Sequence, residues 1–136
     1  MRQGSATTPL EAGAELPALT KIVTQDKIDR YAEASGDHNP LHTDPQFAAA
    51  GRFGGTVAHG MLILAYVSEM LTAAFGERWP ASGRLKARFR GPSRPGDRVT
   101  VSGRVLERDA RRLLCHVEAR NQAGEVLISA DAEVPE

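Results

Sequence analysis

One cysteine, Cys115, is all this chain has. That excludes an internal disulfide framework and suits a reducing compartment. Excess charge is missing too: lysine plus arginine number 17, aspartate plus glutamate 17, and the formal charge is zero. A nucleic-acid-binding or membrane-surface protein ordinarily shows a basic excess, so neither partner is expected. The longest unbroken apolar block falls well short of the roughly 18 residues of a membrane span. The opening MRQGSATTPLEAGAELP has no apolar core of signal-peptide length, so a cytoplasmic protein is expected. The four histidines, His38, His42, His59 and His116, do not fall into a zinc pattern, and no glycine-rich phosphate loop follows a strand. The expectation is therefore no metal and no nucleotide cofactor.

What remains is an ordinary globular composition, 41% hydrophobic and 25% charged over 136 residues, enough for one core. Residues 1–9 read as a loose leader and residues 10–136 as a single domain. After a short first strand near Leu19–Val23, Thr24 reads as the N-cap of a helix carrying Ile28, Tyr31 and Ala32 and stopped by Gly36. The segment from about Ala58 to Phe75, ending at Gly76, is apolar on nearly every side and predicts a helix wrapped by other elements. Four segments then alternate with period two, carrying Leu85–Phe89, Val99–Val105, Leu113–Ala119 and Val126–Val134. The turns between them, GPSRPGD, RDAR and NQAG, make antiparallel neighbours. The fold class is α+β, one antiparallel sheet curled around one buried helix. Cys115 falls on an inward position and reads as core.

The chemistry concentrates in SGDHNPLHTDPQFAAAGRFGGTVAHGM, Ser35 to Met61. Asp37, His38, Asn39, Pro40 and His42 fall within six consecutive positions, and Pro40 makes the stretch a rigid turn rather than a helix interior. Acid and imidazole five residues apart can face a shared point where a water sits. The plainer reading is an Asx-type turn in which Asp37 and Asn39 bond nearby amides. Asp44-Pro45 opens a short helical piece, and GRFGG is a loop, read as chain reversal rather than a flap.

The sequence GDHNPLHTDP, followed by a glycine-bearing linker and VAHGML, resembles the R-specific enoyl-CoA hydratase (MaoC-like dehydratase) family of hot-dog proteins. LEAG at Leu10–Gly13 and the Phe89, Pro92, Gly96, Asp97 spacing match the same pattern, so the likeness covers about residues 10–134. It implies a hot-dog fold, a homodimer or higher oligomer, and an acyl-CoA or acyl-carrier-protein thioester as substrate. It implies no cofactor, coenzyme A being part of the substrate. It also implies that Asp37 and His42 flank the water added across a trans-2-enoyl thioester. Asp37 is assigned the water's proton and His42 the positioning and relay, with the reverse left open. Asn39 and Pro40 support the turn. Gly60 lies at the N-terminus of the central helix, where free N–H groups and the dipole favour an oxyanion. Phe53, Val57, His59 and Met61 are the candidate substrate contacts, with core packing the alternative for the apolar ones and capping or packing for His59. His38 and the basic alternation at Arg84–Arg90 depart from the pattern; the latter reads as a solvated face more readily than as a phosphate site. A dehydratase on carrier-protein or specialised-pathway thioesters is the nearest alternative. A hot-dog subunit that binds acyl thioesters without turnover belongs to a different class. A thioesterase would need an acid on the central helix, where only Glu69 is available.

Overall fold

A computed structural model describes residues 10–136; the expected leader at 1–9 lies outside them. Five strands form one sheet: β1 (Leu19–Ile22), β2 (Arg84–Phe89), β3 (Arg98–Arg108), β4 (Arg112–Arg120) and β5 (Val126–Pro135). Their order is β1-β3-β4-β5-β2, and every neighbouring pair is antiparallel. The turns carry the chemistry that makes them short. Asp109 Oδ1 accepts from the Arg111 and Arg112 amides, and Asn121 Oδ1 from those of Ala123 and Glu125. Gly124 stands at φ 79°, in the left-handed region.

Period two places Val99, Val101 and Val105, then Leu113, Cys115, Val117 and Ala119, on the concave face, all buried. Ile128, Ala130, Ala132 and Val134 continue the same layer from β5. Burial pushes the Cys115 thiol up to about 11, so it is a core side chain and not a nucleophile.

Five helices complete the domain. α1 (Gln25–Ser35) starts where Thr24 Oγ1 accepts from the Lys27 amide and stops at Gly36, φ 80°. α3 (Pro45–Ala49) is capped by Asp44, which accepts from the amides of Gln46 and Phe47. α5 (Arg78–Ser82) tucks Trp79 into the core. Two local expectations change. The Pro40 turn is tighter than a bare bend: α2 (Pro40–Thr43) is a single helical turn, with Asn39 as its N-cap and Pro40 at its first position, where a missing N–H costs nothing.

The second change concerns the central helix, α4 (Gly60–Phe75). Leu62, Ile63, Tyr66, Val67, Met70, Leu71 and Phe75 are buried, each aliphatic side chain contributing about 1.5–3 kcal/mol over exposure. The helix is not wrapped on every side, however. Met61, Ala65, Glu69, Thr72 and Ala73 form an exposed stripe at helical spacing, Met61 at 55%. The sheet covers only one side of α4, so apolar residues on the other face stay open in the single chain.

Candidate active site

Three segments meet at the N-terminal end of α4: the Asp37–Thr43 turn, the Thr56–His59 segment, and α1 behind them. Within the turn, the two carboxylate oxygens of Asp37 do different work. Oδ1 accepts from the Asn39 amide at 3.2 Å, closing the Asx turn, and Asn39 Oδ1 accepts in turn from the Leu41 amide at 2.9 Å. Oδ2 remains and lies 3.9 Å from His42 Nε2. The Asx turn thus uses one carboxylate oxygen and leaves the other facing His42. Asp37 is half exposed at its side chain, 53%, whereas His42 is only 13% exposed.

The hydrogen bonds fix what His42 presents. Its Nδ1 lies 2.8 Å from the Val57 carbonyl. A carbonyl oxygen can only accept, so Nδ1 carries a proton and donates, and in the neutral imidazole Nε2 is left with a lone pair aimed across the gap toward Asp37. Two acceptors separated by 3.9 Å are too far apart for a direct hydrogen bond. A water can span them by donating one O–H to each.

His59 is where expectation and structure part. It is 3% exposed, so it does not face a substrate. Its ring stacks on His42, centroids 3.8 Å apart and planes 24° from parallel. Tyr31 closes against it at 4.8 Å. Asp37, His42 and His59 each bring one ligand-type atom within 4.8 Å of the others. That donor set suits a metal, but the geometry does not. An ion must lie about 2.0–2.1 Å along the in-plane lone pair of each imidazole. Near-parallel stacked rings send those lone pairs alongside one another instead of toward a common point.

A cavity of about 340 Å³ opens beside the turn, lined by Arg52, Phe53, Val57, Gly60, Phe89 and Arg90, among others. Phe53, Val57 and Gly60 were expected near substrate and line it. Met61 does not; it points out on the open stripe of α4. Asp37 and His42 are not in the lining either: they join it through Val57, whose carbonyl holds His42. Gly60 begins α4, and its N–H has no intrahelical acceptor by position. The space over its Cα is filled by the Phe89 ring: a Cβ there would meet Cε1 at 2.9 Å. A side chain at this position would press on that ring, which would have to shift to admit it. Phe89 itself is 55% exposed.

Sequence reasoning missed the residues that clamp the turn. Gln25 donates from Nε2 to the His42 carbonyl at 2.8 Å and accepts from Thr56 Oγ1 at 2.7 Å, tying α1, the turn and the α4 approach together. Buried Asp97 accepts from the Arg94 amide and from Gln122, shaping the turn whose Ser93 carbonyl accepts from the Ala58 amide at 2.7 Å. Nothing in the sequence marks Gln25 or Thr56, because their partners are backbone and side-chain atoms 17 and 31 residues away. Glu69, the acid considered for a thioesterase, pairs with Lys21 at 3.0 Å on the open side of α4, away from the cavity. Arg84, Lys86 and Arg88 are exposed as expected, while Arg90 turns to the cavity and donates from Nε to Ser129 Oγ.

Known proteins resemble this chain in sequence and fold. A 3-hydroxybutyryl-CoA dehydratase of Methylorubrum extorquens is 32% identical over 121 residues, covering 81% of this chain and 74% of that protein. An (R)-specific enoyl-CoA hydratase of Rhodospirillum rubrum is 33% identical over 127 residues, 86% of this chain and 82% of that protein. The unliganded R-hydratase of Pseudomonas aeruginosa superposes with a TM-score of 0.82 at 30% identity, covering 93% of this chain and 83% of that one. The family model for the MaoC-like domain matches residues 8–126, and with the sheet curled on α4 as in those solved structures this chain belongs to the MaoC-like dehydratase family, with the hot-dog fold.

Proposed function

We propose that the protein is a hydro-lyase that adds water reversibly to trans-2-enoyl-CoA, giving (3R)-3-hydroxyacyl-CoA, and that Asp37 and His42 are its catalytic pair. The observation that carries this reading is the pair of acceptors, Asp37 Oδ2 and His42 Nε2, held 3.9 Å apart on a braced turn. A water donating to both has its oxygen lone pairs free for attack at C3 of the enoyl thioester. Asp37 takes one of the water's protons as the C3–O bond forms and gives it on to C2, the other proton stays on the new 3-hydroxyl, and His42 Nε2 orients the water by accepting from it. Charge gathers on the thioester oxygen during the attack, and the Gly60 N–H at the α4 N-terminus is placed to receive it. Dehydration is the same path in reverse.

Phe53, Val57 and Ile63 supply an apolar wall for the acyl chain, and Arg52 and Arg90 on the same cavity suit a phosphate-bearing carrier. Coenzyme A and an acyl-carrier protein both meet that description, and the relatives' names support the coenzyme A ester. The protein works as a homodimer on this reading. β2 is an open edge of the sheet, and Phe89 and Met61, both 55% exposed, flank Gly60 beside it. No helix among the described residues is long and apolar enough to cross a membrane.

The test is turnover of crotonyl-CoA with the C3 configuration of the product determined, for the wild type and for Asp37→Asn and His42→Ala. A general acid–base group contributes about 10²–10⁴-fold, so each folded variant should lose that much. The double variant should be little worse than the worse single, because residues acting as one unit are not additive. Near-wild-type rates in both folded singles would refute the catalytic pair, and a wild-type protein that binds enoyl thioesters without turning them over would leave the binding subunit as the better reading.

A further inference from the structure

We infer that His59 is a positioning residue that sets the spacing between Asp37 and His42; the inference rests on the hydratase reading for its kinetic consequences but not for its geometry. His59 is the N-cap residue of α4, the place where a side chain ordinarily accepts from the free amides of the first turn. It makes no such bond. Its Nε2 lies instead 3.0 Å from the main-chain carbonyl of Asp37, 22 residues back. A carbonyl only accepts, so His59 Nε2 carries the proton and donates. In the neutral ring its Nδ1 is then a lone pair, buried and without a hydrogen-bond partner among the described residues.

The same ring stacks on His42 at 3.8 Å. One buried imidazole therefore touches both members of the pair, the backbone of Asp37 through a hydrogen bond and the ring of His42 through its face. Tyr31 of α1 packs against it at 4.8 Å, which leaves it little room to turn. Residues buried with an unsatisfied polar atom are uncommon and call for a reason beyond packing. Here the reason is that the ring must offer a donor at one place and a flat face at another. Asp37 Oδ2 sits on a side chain more than half exposed, so its distance from His42 depends on how firmly the backbone beneath it is held.

The arrangement requires opposite tautomers in two stacked rings: Nδ1–H in His42, donating to Val57, and Nε2–H in His59, donating to Asp37. It also separates two functions that substitution can test one at a time. His59→Gln keeps an amide donor where Nε2 stood and loses the ring face. His59→Phe keeps the face and loses the donor.

In crotonyl-CoA hydration each variant should lose tenfold to a hundredfold in kcat with KM changed less than threefold, because the gap is disturbed while the cavity is not. The kcat–pH profile should move with it, which a merely structural residue would not do. Nitrogen-15 correlation spectra of the imidazoles in the wild-type protein read the tautomers directly and need neither activity nor a folded variant. Opposite tautomers as assigned, with the His42 signals altered in His59→Gln, support the proposal. The same tautomer in both rings, or folded variants with kcat within threefold of wild type, overturns it. A wild-type protein that hydrates no enoyl thioester would sink the hydratase reading while the spectra still decide the role of His59.

Discussion

Replacing Gly60 by alanine should separate catalysis from stability in one step. An ideal Cβ at position 60 would lie 2.9 Å from Phe89 Cε1 and 3.0 Å from Cδ1, whereas comfortable carbon contacts are about 3.5–4.0 Å. The ring must therefore retreat by roughly 0.5–1 Å. It can do so, because Phe89 ends an edge strand and is 55% exposed. An off-rotamer shift of that kind costs about 0.5–1.5 kcal/mol. Alanine offsets part of this, being favoured over glycine in a helix by about 0.5–1 kcal/mol and by less at its first position. The net change should lie within about 1 kcal/mol of zero, a melting shift of at most a few degrees. The new methyl, however, occupies the approach to the Gly60 N–H. Losing one oxyanion donor costs about 10²–10³ in turnover. The assay is the initial rate of crotonyl-CoA hydration, followed by loss of enoyl-thioester absorbance, alongside thermal melting by circular dichroism. Phe89→Ala in the same background removes the clash and should restore stability without restoring rate. A Gly60→Ala protein with near-wild-type turnover would refute the oxyanion role. A melting temperature lowered by ten degrees or more would refute the idea that the ring gives way.

Four further outcomes are expected. Light scattering at micromolar concentration should give the mass of a dimer, since β2 and the Met61 face of α4 are both open in the single chain; a stable monomer would argue against it. Activity should survive exhaustive chelation and dialysis, because the stacked His42 and His59 do not aim at a common ion; loss restored by a divalent cation would reverse that. Tyr66→Phe should leave stability unchanged or raise it by up to about 1 kcal/mol, because the Tyr66 hydroxyl is buried with no partner among the described residues; a clear loss in denaturant melts would mean it is satisfied in solution. The Cys115 proton is held more tightly folded, at about 11, than unfolded, near 9.0, so stability is full below pH 9 and declines as pH rises toward 11. The total is on the order of 2–3 kcal/mol. Cys115→Ala should flatten that alkaline limb, and thiol reagents at pH 8 should label only unfolded chains.

Local rules written in the chain decided most of its elements. Thr24 and Gly36 bracket α1, Asp44-Pro45 opens α3, and the alternation through Val99, Cys115 and Ala130 is the sheet's inner face. Capping, turn chemistry and period-two burial act over a few residues, so they are legible without coordinates. Asp37 and His42 were legible for the same reason, lying within one turn. Contacts between distant segments were not. That His59 stacks under His42, that Gln25 clamps the His42 carbonyl, and that Phe89 covers Gly60 are decided only when the sheet curls on α4. The open stripe from Met61 to Ala73 belongs to the same class. Apolar composition says that a helix prefers to be buried, but which face finds cover depends on how many layers the rest of the chain can supply, and one five-stranded sheet supplies one.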